Sequence, residues 1–163
     1  MESYLTAELS ASAVQANLDL IRRQLAPGTK ICAVVKADCY GHGVRVLLGL
    51  LDKEADCLAV ATPEEAMLLR RIGYERPILI FFSACAYSDG GTLRDALAEL
   101  IAQDVTLTVV APAEADAVAD AARRVGAQAK VHVKIDTGMT RSGIRHDAAA
   151  ALVEHVRRAE GVQ

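Results

Sequence analysis

The stretch "CLAVATPEEAMLLRRIGYERPILIFFS", residues 57–83, decides the architecture. It opens on a short, nearly continuous apolar run, CLAVA (57–61), and closes on a second, PILIFFS (77–83). Runs of this length without polar alternation are the pattern of strands covered on both faces. Between them lies a helix whose ends are readable. Thr62 can cap it, Pro63 fits the first helical position, Glu65 completes a capping box and Gly73 closes the C-terminus. Strand, helix and strand at this spacing make a βαβ unit, two parallel strands joined by a right-handed crossover.

The theme repeats outward in both directions. Further strand-like runs are ICAVVK (31–36), VTLTVVA (105–111) and VHVKID (131–136). Val14, Leu18, Ile21 and Leu25 fall on one helical face, with Ser10 or Ser12 as cap. Leu93, Leu97, Leu100 and Ile101 mark another helix, one runs from Pro112 to Arg124 with Gly126 just beyond, and the last spans Asp147 to Ala159. Five strands in such an alternation predict an α/β protein with a parallel sheet, either a (β/α) barrel or an open doubly wound sheet. A complete eightfold barrel takes roughly 250 residues, so 163 residues supply only part of one. No G-x-G-x-x-G follows the first strand and no Walker lysine motif is present, which lowers the nucleotide-binding version of the open sheet.

Composition narrows the function classes. The chain is 52% hydrophobic with a net charge of −3, and it has no basic run, so a soluble globular protein is expected and a nucleic-acid partner is not. The N-terminus lacks a charged stretch leading into an apolar core, and no apolar segment reaches the roughly 20 residues that span a bilayer. Cys32, Cys39, Cys57 and Cys85 are scattered, without a C-x-x-C pair or histidines at zinc-ligand spacing. They read as small hydrophobes in a reducing compartment, with a cytoplasmic location and no metal.

Candidate chemistry gathers at strand ends. In parallel α/β proteins reactive side chains collect at the C-terminal rim of the sheet. Lys36 ends the first strand within AVVKADCYGHG (33–43), and Lys134 lies two residues before Asp136 at the end of the fifth. A rim lysine can simply extend its ammonium to water, or it can be a neutral amine that condenses with an aldehyde. Tyr40 adds a hydroxyl, and Gly41 and Gly43 permit close backbone approach by a phosphate. Asp136 reads as a loop former that accepts backbone N–H bonds. His42 reads as a locally bonded turn residue, His132 as structural and facing away from Lys134, and His146 and His155 as solvated. The IDTG of residues 135–138 also opens aspartic-protease loops, but the helices throughout and Met139 after the glycine argue against that.

The motifs resemble those of the alanine racemase family. AVVKADCYGHG is similar to its cofactor-lysine signature, with Cys39 where alanine is usual, and VHVKIDTGMTRSGI (131–144) is similar to its second block, with Ser142 for a usual leucine. TAELSASAVQANL and AVATPEEAMLLRRIG also run parallel to it, so the likeness covers nearly the whole chain. The resemblance implies part of a TIM-type (β/α)8 barrel, about five of eight strands, with residues 1–163 as its N-terminal portion and the later strands and a β-rich domain lying beyond Gln163. It implies interconversion of L-alanine and D-alanine, supplying D-alanine for peptidoglycan, with pyridoxal 5'-phosphate held as an internal aldimine on Lys36. Tyr40 would bond the cofactor phosphate, and Arg141 would contact its phenolic oxygen and the substrate carboxylate. Lys134 matches a lysine that is carbamylated in many members to orient that arginine. The family works as a homodimer whose second acid–base group, a tyrosine, comes from the partner subunit, so this chain alone is expected to racemise poorly. The alternative is a non-enzymatic pyridoxal-phosphate carrier, against which stands the complete KIDTGMTRSG block.

Overall fold

The structure, a computed structural model, describes residues 6–84, 86 and 92–163, without the side chains of residues 92–94. Cys85 and the side chain of Leu93 lie outside the described residues. One parallel sheet runs in the order β1-β2-β3-β4-β5, formed by Cys32–Val34, Cys57–Val60, Ile78–Ser83, Val105–Val109 and Val131–Val133. The registers Cys32↔Cys57, Leu58↔Ile78, Ile78↔Val105 and Leu107↔Val131 make every strand a hydrogen-bonded neighbour of the next in sequence. Helices α1 (Ala11–Gln24), α3 (Val44–Glu54), α4 (Pro63–Arg71), α5 (Thr92–Ala102), α6 (Pro112–Val125) and α7 (Ala149–Arg158) fill the connections, with a short turn, α2 (Lys36–Tyr40), after β1.

The ends read from sequence form as expected where the rule is local. Ser10 caps α1 through its side chain, which accepts from the Ala13 N–H at 3.2 Å. Thr62 and Glu65 close both halves of the capping box, with Pro63 inside the first turn of α4. Gly126 ends α6 at φ 65°, where a side chain would add strain.

Strand alternation splits the sheet into two faces. Leu58, Val60, Ile78, Ile80, Leu107 and Val109 point into one cluster with Ala66, Leu69, Leu97, Leu100 and Val118 of the helices, and this is the core. The opposite face carries Cys32, Val34 and His132, all exposed, so five strands leave the inner side of the sheet partly open. The segment 161–163 already pairs with the start of β5. The Ala129 and Val131 N–H groups donate to the Gly161 and Gln163 carbonyls at 2.8 and 2.9 Å, and Gln163 N–H returns a bond to Ala129.

Three features depart from the sequence reading. Helix α3 went unread, because Gly43 sits at its N-cap, Gly49 in its middle and β-branched Val44 and Val46 in its first turn. The run VHVKID is not one strand. It breaks at Lys134, and β6 (Ile135–Asp136) pairs instead with β7 (Ile144–Arg145) in a separate two-stranded sheet. The last helix is preceded by a 3-10 turn over His146–Ala148. Among the described residues no helix is long and apolar enough to cross a membrane, and no cluster of three or more His, Cys, Asp or Glu could hold a metal.

Candidate active site

The end of β1 is built around Lys36. Val35 N–H donates to the Ala59 carbonyl at 2.8 Å, the last rung before the chain leaves the sheet. It then coils left-handed. Ala37, Asp38, Cys39 and Tyr40 have φ of 50°, 53°, 56° and 54°, followed by Gly41 at 84°. Each non-glycine residue in this conformation costs about 1–2 kcal/mol, so such a turn persists only where its surroundings hold it.

Those surroundings are specific. Glu65 Oε1 accepts the Ala37 N–H at 2.7 Å, and Asp38 Oδ1 accepts the Val44 N–H at 2.7 Å, tying the turn to α4 on one side and α3 on the other. Inside it, Gly41 donates to Ala37, His42 to Cys39 and Gly43 to Asp38, at 2.9, 3.2 and 2.8 Å. Burial, and then the Asp38 charge, push the Cys39 thiol up to about 11, so it is an inert space-filler, as the cysteine reading expected. A Cβ at Gly41 would meet nothing within 4 Å, so the backbone there is sterically open, though not as a hydrogen-bond donor. The N–H groups of Gly41 and Gly43 are spent within the turn, and the glycines are required by φ of 84° and 87°.

The other wall comes from β5 and the loop after β6. Lys134 N–H donates to the Val109 carbonyl at 3.0 Å, and its Nζ reaches the Phe81 carbonyl at 3.3 Å. Asp136 turns away from the sheet end and organises the loop that carries Arg141. Its Oδ1 accepts the N–H groups of Gly138 and Thr140 at 3.0 and 2.9 Å, which hold its carboxyl below the usual aspartate value. This is the loop-forming role expected of it. Gly143 closes the loop against β6, where any side chain would strike backbone.

These elements meet in a cleft of ≈ 330 Å³ lined by Lys36, Ala61, Phe81, Phe82, Lys134, Arg141 and Ser142. Among the described residues three cations line it and no carboxylate does, so it favours an anionic ligand of small-molecule size. Lys36, Lys134 and Arg141 are thus brought together. Tyr40 does not line the cleft; it is 60% exposed, and its ring stands 5.8 Å from the Lys36 ammonium.

The histidines divide. His42 Nδ1 lies 2.8 Å from the Cys39 carbonyl, the local bond expected of a turn residue. His155 pairs with Asp116 on the surface at 2.7 Å. His132 lies exposed on the open face of the sheet. The sequence reading missed Glu65 as a partner of the Lys36 turn, and Ser142 and the two phenylalanines as lining. Glu65 was legible only as a helix cap; nothing local marks its bond across 28 residues.

Known proteins resemble this chain in sequence and fold. A family model described as "Alanine racemase, N-terminal domain" matches residues 9–163. The alanine racemase of Desulfovibrio desulfuricans is 40% identical over 157 residues, which make up 96% of this chain and 40% of that protein. That of Methanococcus maripaludis is 35% identical over 159 residues, again 96% of this chain and 40% of that protein. Among solved structures, the Clostridium difficile 630 alanine racemase complexed with cycloserine superposes with a TM-score of 0.83 at 34% identity, over 93% of this chain and 40% of that one. A histidine racemase from Leuconostoc mesenteroides shares the fold with a TM-score of 0.80 at 26% identity, over 94% of this chain and 40% of that one. The chain spans 40% of the length of the curated relatives named here, and it belongs to the alanine racemase family, matching its N-terminal domain.

Proposed function

We propose that this chain is the cofactor-bearing portion of a barrel that interconverts L-alanine and D-alanine, with Lys36 as the attachment point for pyridoxal 5'-phosphate. The observation that carries the reading is the cleft that collects Lys36, Lys134 and Arg141 from three separate segments. The donor set fits that cofactor. Lys36 offers a primary amine to an aldehyde, Arg141 a guanidinium to an anionic oxygen, and among the described residues no lining carboxylate opposes a phosphorylated ligand. The family resemblance assigns the phosphate contact to the Tyr40 hydroxyl, whose side chain stands outside the cleft lining and is 60% exposed.

Bound pyridoxal phosphate supplies an electron sink for the charge left when the α-proton departs. The protein's own residues do the rest. Lys36 Nζ takes or returns that proton on one face of the substrate. Arg141 fixes the substrate carboxylate and stabilises charge beside it. Lys134 acts on Arg141 rather than on substrate; carbamylation of its amine would put an anion next to the guanidinium, and the carbamate N–H could keep the bond to the Phe81 carbonyl. Racemisation needs a second proton carrier on the opposite face, which the family resemblance assigns to a tyrosine of a partner subunit. A homodimer, a cytoplasmic location and a role in peptidoglycan supply are parts of the same proposal. Alanine as substrate rests on the relatives' names, and the Leuconostoc histidine racemase shows that the fold also serves another amino acid.

The test is chemical. The chain is incubated with pyridoxal phosphate, reduced with borohydride, digested and mapped by mass spectrometry, with Lys36→Ala alongside. The adduct is expected on Lys36 and absent from the variant. An adduct elsewhere, or none in a folded sample, overturns the reading.

A further inference from the structure

Two helices in this protein begin the same way. Helices α4 and α6 each follow a strand, carry proline at the first position (Pro63, Pro112) and place a glutamate two residues later, followed by alanine (Glu65-Ala66, Glu114-Ala115). In each case the carboxylate reaches sideways to the end of the neighbouring strand as well as back to its own. Glu114, 8% exposed, accepts Val110 N–H at 2.8 Å with one oxygen and the Ser83 hydroxyl, from the end of β3, with the other. Glu65 accepts Ala61 N–H at 2.7 Å and Thr62 N–H at 3.2 Å with Oε2, and Ala37 N–H at 2.7 Å with Oε1. Both residues stitch adjacent strand ends at the same rim of the sheet. Only Glu65 stitches onto the turn that presents Lys36.

We infer that Glu65 is a positioning residue for Lys36: its Oε1 holds the left-handed turn 37–40 in place and thereby aims the lysine into the cleft. Ala37 follows Lys36 directly, and its N–H is the first donor of the strained segment. The bond fixes the Lys36–Ala37 peptide plane, and the left-handed path that opens with φ 50° at Ala37 starts from that plane. Asp38 clamps the far end of the turn onto Val44 and the Cys39 N–H bonds back to the Val35 carbonyl at 2.9 Å, which leaves Glu65 as the side-chain clamp at the lysine end. The inference rests on the Lys36 reading for its functional meaning, while the structural role stands on these bonds alone.

Glu65→Gln separates the two duties of the side chain. A glutamine oxygen can keep the Ala61 and Thr62 bonds, but its amide then turns a donor toward the Ala37 N–H and releases it. Glu65→Asp serves as a second variant, because a shorter carboxylate can cap its own helix and cannot span to Ala37. Glu114→Gln is the matched control, with the same motif stitched to a strand end that does not carry the lysine. Site-resolved amide exchange is measured on the chain without cofactor, and the rate of borohydride-trapped pyridoxal-phosphate adduct at Lys36 is measured in parallel, with urea midpoints for all variants. Glu65→Gln and Glu65→Asp are expected to speed exchange at Ala37 and Cys39 and to slow adduct formation roughly tenfold, the scale of one lost hydrogen bond to a charged group. Glu114→Gln, at equal or greater loss of urea stability, leaves both unchanged. Wild-type exchange at Ala37 in both Glu65 variants, or an equal adduct-rate loss in Glu114→Gln, overturns the inference. If the wild-type chain forms no Lys36 adduct, the functional proposal falls and the exchange at Ala37 alone decides the role of Glu65. Should Glu65→Gln fail to fold, Glu65→Asp decides it.

Discussion

Replacing Gly143 with alanine tests whether the Arg141 loop is a fixed presenter of its guanidinium. Gly143 has φ 136°, and a Cβ there would lie 2.4 Å from the Asp136 nitrogen and 2.8 Å from the Ile135 carbonyl carbon. Both are backbone atoms of β6, so no side chain can swing aside to make room. The backbone conformation alone costs about 1–3 kcal/mol for a non-glycine residue. Overpacking adds a similar amount, so the native loop is raised by about 2–6 kcal/mol. The sheet need not unfold to relieve this. Strands β6 and β7 are two residues each and pair only with one another among the described residues, and the loop's tie to β5 is the Ile144 N–H bond to the Lys134 carbonyl at 2.9 Å. The loop is therefore expected to open while the five-stranded sheet stays folded. At 1.4 kcal/mol per decade, even the lower bound raises the opening equilibrium about 30-fold. Hydrogen exchange of peptides covering residues 135–145, measured beside urea unfolding followed by circular dichroism, reads both quantities. Exchange within twofold of wild type in that segment would refute the reasoning, because the native loop would then have absorbed the methyl group. A full loss of global stability without local opening would refute it equally.

Three further outcomes follow from single side chains. Tyr74 is 2% exposed, and its hydroxyl is the one buried side-chain polar atom without a partner among the described residues; burial pushes its phenol up to about 12. Tyr74→Phe is expected to raise stability in urea by about 1 kcal/mol, and a loss of that size would show that the hydroxyl has a partner. Arg70 gives its guanidinium to four carbonyls, Tyr74, Arg76, Gln103 and Asp104, at 2.7, 2.8, 2.9 and 3.2 Å. Arg70→Ala should cost about 2–4 kcal/mol, and Arg70→Lys should recover little of it, because an ammonium cannot fork to two loops at once. Asp136 is held below its ordinary value of 3.8 by the Thr140 and Gly138 N–H groups. A carboxyl depressed in the folded state contributes support that is present above the unfolded value and is lost as pH falls through the folded one. Exchange in residues 135–145 should therefore accelerate below about pH 4, and Asp136→Asn should flatten that response.

Much of the fold was legible because its rules are local. The caps at Ser10 and Thr62, the proline starts of α4 and α6 and the glycine end at Gly126 each depend on neighbours within a turn, and each formed as read. The convergence of Lys36 and Lys134 was legible for a topological reason, since parallel strands deliver their ends to one rim. What stayed hidden is governed by partners distant in sequence. Four consecutive left-handed residues at 37–40 have no signature in Ala-Asp-Cys-Tyr; the conformation is imposed by Glu65 from 28 residues away and by Asp38 reaching forward to Val44. The break at Lys134 is likewise invisible in VHVKID, because apolar alternation continues through it while the hydrogen bonds pass from β4 to the segment after Gly143.

The strand order also fixes how the molecule can be assembled. The paired residues of successive strands are separated by only 20 to 27 positions in the chain, and among the described residues no strand is inserted between earlier neighbours. Each addition closes a loop of similar length and so of similar entropic cost, because that cost grows only slowly with loop size. A chain with this wiring can lengthen its sheet from the N-terminal side during synthesis, each new edge serving as the template for the next segment to emerge. The pairing of residues 161–163 with β5 is the next step of the same progression.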